Sequence, residues 1–176
     1  MAETLQSRIR EVPDFPRDGI LFYDITTVLK DADAFGAAVD LMSASFRHSS
    51  IDVVVAMESR GFIFGAPLAY LLRAGFVPIR KLGKLPAEKI TRAYTLEYAT
   101  NTFEMHCDAI EPGQRVLLVD DLLATGGTIE ASLDMVRELG GEPVAVVVLV
   151  ELEELRGRER LEQYGVDVVS FITYPG

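Results

Sequence analysis

The run Val116-Leu-Leu-Val-Asp120-Asp121-Leu-Leu-Ala124-Thr125-Gly126-Gly127-Thr128 concentrates more chemistry than any other part of the chain. An apolar strand delivers two adjacent carboxylates, then a turn of small residues, then a helical pattern. Ionised Asp120 and Asp121 each accept several hydrogen bonds, which suits the hydroxyls of a sugar. Gly126 and Gly127 carry no Cβ to keep an anion away, and their N–H groups can converge on one. The following helix adds unpaired N–H groups and the positive end of its dipole, contributing about 0.3–1 kcal/mol at an exposed site and up to about 2 kcal/mol when partly buried. The hydroxyls of Thr125 and Thr128 are further donors. With Ala124, these residues read as a cradle for one phosphate beside a sugar clamp. The plainer alternative is a tight strand-to-helix turn whose acids merely open a helix. No Gly-Lys-Ser/Thr follows the turn, which excludes a P-loop, and no Gly-x-Gly follows the strand, which excludes a dinucleotide fingerprint.

Ligands of open α/β sheets gather at the carboxyl ends of strands, and the remaining pattern builds such a sheet. Asp52–Met57, Phe76–Arg80, Arg115–Val119 and Pro143–Val150 are short, β-branched and nearly unbroken, as strands covered on both faces are. Between them, Phe35, Val39, Met42 and Phe46 form one helical stripe, and Ile129, Leu133, Val136 and Leu139 form another that Gly140-Gly141 stops. Strands alternating with helices predict an α/β fold, a doubly wound and mostly parallel sheet flanked by helices. Arg60 then lies at a carboxyl edge, just after the Asp52–Met57 strand. Two segments break the rhythm. Lys81 to Thr102 reads as a projecting loop or hairpin, and Val12 to Leu29, with Pro13, Pro16 and Gly19, as an extended cover. The charge-dense stretch from Glu151 to Glu162 reads as a solvated helix face, with Glu154 and Arg158 at i,i+4 spacing.

The chain has 176 residues, 49% of them hydrophobic, which predicts a single domain with a sizeable core and excludes disorder. One cysteine, Cys107, excludes a disulfide framework and reads as a buried small hydrophobe. His48 and His106 have no partner motif and read as structural or surface residues, and no His/Cys cluster suggests a metal held by the protein. Seventeen basic against twenty-seven acidic residues give a net charge of −10, which argues against non-specific nucleic-acid binding. No secretory signal and no apolar run near the ~20 residues of a membrane span are visible, so a cytoplasmic protein without a membrane partner is expected.

The acid pair and the small-residue turn resemble the ribose-phosphate signature of type I phosphoribosyltransferases. The resemblance implies that Asp120 and Asp121 bind the ribose hydroxyls of phosphoribosyl pyrophosphate (PRPP), and that Ala124, Thr125, Gly126, Gly127 and Thr128 hold its 5′-phosphate. Further segments, Phe15-Pro-Arg-Asp-Gly-Ile-Leu-Phe22-Tyr-Asp-Ile-Thr26, Glu58-Ser-Arg-Gly-Phe62, Arg80-Lys-Leu-Gly-Lys84-Leu-Pro and Leu96-Glu97-Tyr98, resemble the adenine-using branch in content and order. They imply transfer of the phosphoribosyl group to adenine, giving AMP and pyrophosphate, with Mg²⁺ arriving on PRPP. The resemblance also implies that Arg60, Glu58, Ser59 and Lys84 serve the pyrophosphate and that Arg80 and Lys81 act across the interface of a homodimer. In the family the Glu58-Ser59 loop is strained and offers N–H groups. Residues 1–30 would form a hood over the base, with Leu21, Phe22 and Tyr23 on one side and Leu122 opposite. Residues 81–104 would form a mobile catalytic loop in which Glu97 is the acid/base and Tyr98 a donor to pyrophosphate. Thr27 and Leu82 depart from the pattern, and Leu82 removes one possible cation. Transfer to another base, or a PRPP-sensing regulator that has lost catalysis, are the rival readings.

Overall fold

β-Branched residues with every side chain covered make the centre of the molecule. In the computed structural model, which describes residues 2–96 and 99–175, the elements are α1 (Ala2–Gln6), β1 (Arg10–Pro13), β2 (Leu21–Asp24), α2 (Thr26–Leu29), α3 (Ala32–Ala44), β3 (Val53–Met57), α4 (Arg60–Leu72), β4 (Gly75–Lys81), β5 (Lys89–Leu96), β6 (Ala99–His106), β7 (Arg115–Leu123), α5 (Gly127–Glu138), β8 (Glu142–Leu152), α6 (Gly157–Leu161) and β9 (Asp167–Tyr174). Seven strands form one sheet in the order β5-β6-β4-β3-β7-β8-β9. The β4-β3-β7-β8-β9 part is parallel, and β6 joins β4 antiparallel through Arg80↔Glu104 and Lys81↔Phe103. Successive residues of β3 face opposite sides, Val54 and Ala56 into a core with α3 and α4, Val53, Val55 and Met57 into a core with α5. Two covered faces explain the unbroken apolar runs.

The expected strands and both expected helices are present, and Gly140 (φ +85°) ends α5 with Gly141 N–H donating to Val136 O at 2.9 Å. The extended cover is a two-stranded antiparallel sheet, β1-β2, closed by the single turn of α2. The segment after Lys81 is the β5-β6 hairpin. Its arms do not stand free, because Tyr94 stacks on Phe103 at 4.1 Å and both are buried against the α5 side of the sheet.

Three expectations need correction. The strand expected to end at Val119 continues to Leu123, so Asp120 and Asp121 are strand residues. The Glu151–Glu162 stretch is not one solvated helix. It breaks into a 3₁₀ turn, a left-handed Arg156 (φ +52°) and the short α6, and Arg158 pairs with the buried Glu151, not with Glu154. Cys107 is exposed, just beyond the end of β6.

Helix α4 positions Arg60, and its approach to the sheet depends on Gly65. A Cβ there would meet the Ala56 Cβ at 2.6 Å and the Phe76 ring at 3.0 Å. Overpacking of this kind costs about 1–3 kcal/mol, so Gly65→Ala is expected to lower Tm by about 2–12 °C at 2–4 °C per kcal/mol. Calorimetry checks this; an unchanged Tm would mean that the helix does not rest on the strand as described.

Candidate active site

The carboxyl ends of β3 and β7 lie side by side, and their loops share one cavity of about 210 Å³. Glu58, Ser59, Arg60, Asp120, Asp121, Leu122, Ala124, Thr125, Gly126 and Thr128 line it, together with Leu123 and Ile129. The sequence-predicted sugar clamp, most of the phosphate cradle and the β3 loop are therefore one site. Gly126 takes φ +80° as the residue before α5, and no side chain caps that helix. Its first N–H groups remain to be satisfied, at the place where an anion would sit. Gly127 opens the helix itself.

Asp121 is 3% exposed, and its Oδ2 lies 3.0 Å from Arg60 Nε. That oxygen makes no hydrogen bond of proper geometry, so the contact is an ion pair that leaves it able to accept. Asp120 Oδ1 accepts from the Asp121 N–H at 2.9 Å. Burial, and next the charge of Asp121, push the Asp120 carboxyl well above the ordinary carboxylate range. Burial also raises Asp121, against the opposing pull of Arg60. The Arg60 guanidinium lies 5.8 Å from the centroid of the Phe22 ring, so one side chain touches both the acid pair and the expected base wall.

Glu58 is held by Arg80, whose Nε and Nη2 donate to its two oxygens at 3.0 and 3.4 Å, and by the Lys81 N–H at 3.0 Å. These donors keep its carboxyl below the usual range. The Glu58–Ser59 peptide bond is cis. Arg80 is thus turned to Glu58 of its own chain, while the side chains of Lys81 and Lys84 are exposed and outside the lining of the cavity.

Leu21 and Phe22 line a second, larger cavity of about 490 Å³ with Pro16, Gly19, Ile20, Leu152, Glu154 and Leu155, and it shares Ala124 and Thr125 with the first. Tyr23 does not present its ring there; it stacks on Tyr174 at 3.8 Å. Glu97 and Tyr98 lie outside the described residues. His48 is exposed, and His106 Nε2 accepts from the Ala87 N–H.

Sequence reasoning passed over Glu104. It is fully buried, and its carboxylate accepts from the N–H groups of Gly83 (3.0 Å), Lys84 (2.6 Å) and Leu85. Burial alone would raise its pKa, but these three donors win and draw it down. It shapes the loop that carries Lys84. A charge between Phe103 and Met105 is its one trace in the sequence. Leu152 and Leu155 were also missed, because nothing local marks a wall residue.

The raised carboxyl of Asp120 has a consequence for stability. A folded-state pKa above the unfolded value means that the native state binds the proton more tightly, so stability falls as pH rises from about 4 through the raised value. Asp120→Asn removes that penalty. The variant is expected to have a higher Tm than the parent at pH 7–8, with the difference vanishing near pH 4. Melting curves across pH test this, and a variant less stable at pH 8 than the parent would contradict the assignment.

A phosphoribosyl transferase domain model matches residues 26–174. The adenine phosphoribosyltransferase of Acidobacterium capsulatum is 55% identical over 172 residues, covering 98% of this chain and 94% of its own. Among solved structures, the adenine phosphoribosyltransferase of Thermoanaerobacter pseudethanolicus is 50% identical with a TM-score of 0.94, covering 99% of this chain and 100% of its own. That of Saccharomyces cerevisiae, complexed with D-2,5-dideoxy-2,5-imino-altritol 1,6-bisphosphate and adenine, is 36% identical with a TM-score of 0.89 over 97% of both chains. The domain model begins after the β1-β2 cover, whereas these full-length likenesses include it. The chain belongs to the phosphoribosyltransferase family, among the adenine phosphoribosyltransferases.

Proposed function

We propose that this protein transfers the 5-phosphoribosyl group of PRPP to adenine, releasing AMP and pyrophosphate. The observation that carries the reading is the single cavity in which an acid pair, an uncapped helix start and Arg60 meet beside the cavity lined by Leu21 and Phe22. In the reaction the bond from the anomeric carbon to pyrophosphate breaks, the bond to the adenine ring nitrogen forms, and that nitrogen loses its proton. Asp120 and Asp121 accept from the ribose hydroxyls and face the positive charge that builds on the ring. Ala124 to Thr128 hold the 5′-phosphate, fixing the ribose so that the anomeric carbon points to the base.

The diphosphate competes with Asp121 for Arg60, and the Glu58-Ser59 main chain with Lys84, Lys81 and Tyr98 completes its site. Glu97, in the segment that the resemblance assigns to the catalytic loop, takes the adenine proton, and closure of that loop keeps water out. Among the described residues no three His, Cys, Asp or Glu side chains gather to hold a metal ion. The oxygen-only pair Asp120 and Asp121 would suit a hydrated Mg²⁺ brought on PRPP, and the ion would supply neutralisation of the leaving diphosphate's charge.

The register of the cover supports adenine. Pro13 stands opposite Leu21 and has no N–H to give, so Leu21 and Tyr23 belong to the set whose main-chain groups point away from β1. Main-chain N–H and C=O groups that point away from β1 would match the ring nitrogen acceptor and the 6-amino donor of adenine. A 6-oxopurine reverses both. Phe22 and Leu122 flank the ring. Ile63, Tyr70 and Leu71 leave an exposed apolar stripe on α4, and we assign the homodimer contact to that face. No helix among the described residues is long and apolar enough to cross a membrane, and we place the reaction in the cytoplasm.

Formation of AMP from adenine, PRPP and Mg²⁺ by the purified protein tests the reading, with hypoxanthine expected to be poorer by at least about 100-fold in kcat/KM. Turnover of hypoxanthine but not adenine would overturn it. Asp121→Asn is expected to raise KM for PRPP about tenfold or more in a folded protein, and Glu97→Gln to lower kcat about 10²-fold with little change in KM. Steady-state kinetics on the two variants separates the roles, and an unchanged KM in the first removes the ribose clamp.

A further inference from the structure

Beneath the phosphate cradle two stretches of main chain touch with no side chain between them. A Cβ built on Gly157 would lie 2.1 Å from the carbonyl oxygen of Ala124, 3.1 Å from its carbonyl carbon and 2.7 Å from Leu123 Cδ1. Seen from the other side, a Cβ on Gly126 would lie 2.9 Å from the carbonyl oxygen of Gly157. Gly157 is not in the left-handed region; the turn before it is made by Arg156 at φ +52°. Space, not backbone conformation, demands glycine here.

The segment under the cradle is anchored on several sides. Arg158 grips the buried carboxylate of Glu151 with Nε at 2.9 Å and Nη2 at 2.5 Å, and its Nη1 donates to Val168 O at 2.7 Å. The Ser170 hydroxyl donates to the same carboxylate at 2.5 Å. Glu151 itself is the register partner of Leu123 on β7, one residue before Ala124. Burial would raise the Glu151 carboxyl, but Arg158 and Ser170 hold it down and charged. Two residues on, Arg160 reaches Glu130 in the first turn of α5 at 2.6 Å, and Leu161 is buried. Removing a buried charge from its partner is strongly unfavourable, so α6 does not yield readily. A side chain at position 157 must instead displace the Ala124 carbonyl, and with it the turn that forms the cradle.

We infer that Gly157 is a positioning residue for the anion site: by having no side chain, and with its neighbour Arg158 locked to Glu151, it sets the height of the Ala124–Gly126 turn and so the fit of the 5′-phosphate. The inference rests on the proposed phosphoribosyl transfer for the identity of that anion. A displacement of about 1 Å near a reacting group can cost about 10²-fold. Gly157→Ala is therefore expected to raise both KM for PRPP and the calorimetric Kd for ribose 5-phosphate at least tenfold, with KM for adenine within about threefold of the parent. Gly165→Ala is the comparison, because Gly165 has φ +60° but open space around it; that variant is expected to lose Tm while keeping parental affinity for ribose 5-phosphate.

If Gly157→Ala does not fold, Glu151→Gln weakens the Arg158 fork without adding bulk, and its Kd for ribose 5-phosphate is expected to rise about threefold or more. A folded Gly157→Ala protein with parental affinity overturns the inference. So does parental affinity in Glu151→Gln when Gly157→Ala fails to fold, and so does a loss of affinity in Gly165→Ala equal to that in Gly157→Ala. A parent protein that neither binds ribose 5-phosphate nor forms AMP overturns the functional reading, and the inference with it.

Discussion

Two carboxyl groups stand side by side at the end of β7, and the contact between Arg60 and Asp121 makes a negative charge there tolerable. Burial favours protonation of both groups, the charge of Asp121 adds to this at Asp120, and Arg60 opposes it from 3.0 Å to Asp121. The guanidinium is there because α4 starts at Arg60 and runs tight against the sheet, which in turn needs a glycine at position 65. The strength of the contact is also its use. Under the proposed function, a polyphosphate that takes over Arg60 would remove the charge that now pairs with Asp121.

Around that contact, charged residues work mainly on the main chain. Glu58 is fixed by Arg80 and the Lys81 N–H, Glu104 gathers three successive N–H groups of the basic loop, and Glu151 with Arg158 secures the chain below the cradle. Each is a carboxylate whose desolvation is offset by donors; Glu58 lines the cavity itself, and Glu104 and Glu151 lie one step behind loops that line or approach it. The loops of the site are thus held by carboxylates that gather N–H donors and half-exposed guanidinium groups. Such networks are sensitive to loss of one member.

Much of this was legible in the sequence. β-Branched runs without alternation announced a sheet covered on both faces, and the acids, glycines and threonines after Val119 announced an anion cradle at its edge. Helix α4 was not legible, because Arg60-Gly-Phe-Ile-Phe-Gly-Ala-Pro-Leu-Ala-Tyr-Leu-Leu72 is apolar nearly all round and carries Pro67, so no stripe stands out. The pairing of Arg158 was misread because i,i+4 spacing favours Glu154 only if the helix is continuous, and the left-handed Arg156 interrupts it. The roles of Glu104 and Gly157 depend on residues about 20 and 30 positions away in the chain, and no local pattern encodes such contacts. Cys107 was misplaced for a simpler reason: a small apolar side chain fits a strand end as readily as a core.

The central claim is that the turn from Ala124 to Thr128 and the acid pair together recognise a ribose 5-phosphate. The most direct measurement compares AMP with adenosine, which differ only in the 5′-phosphate, by titration calorimetry at pH 7.5. A cradle of converging N–H groups and hydroxyls predicts that AMP binds at least about 100-fold more tightly, equivalent to about 2.7 kcal/mol. Equal affinities for the two would contradict the account.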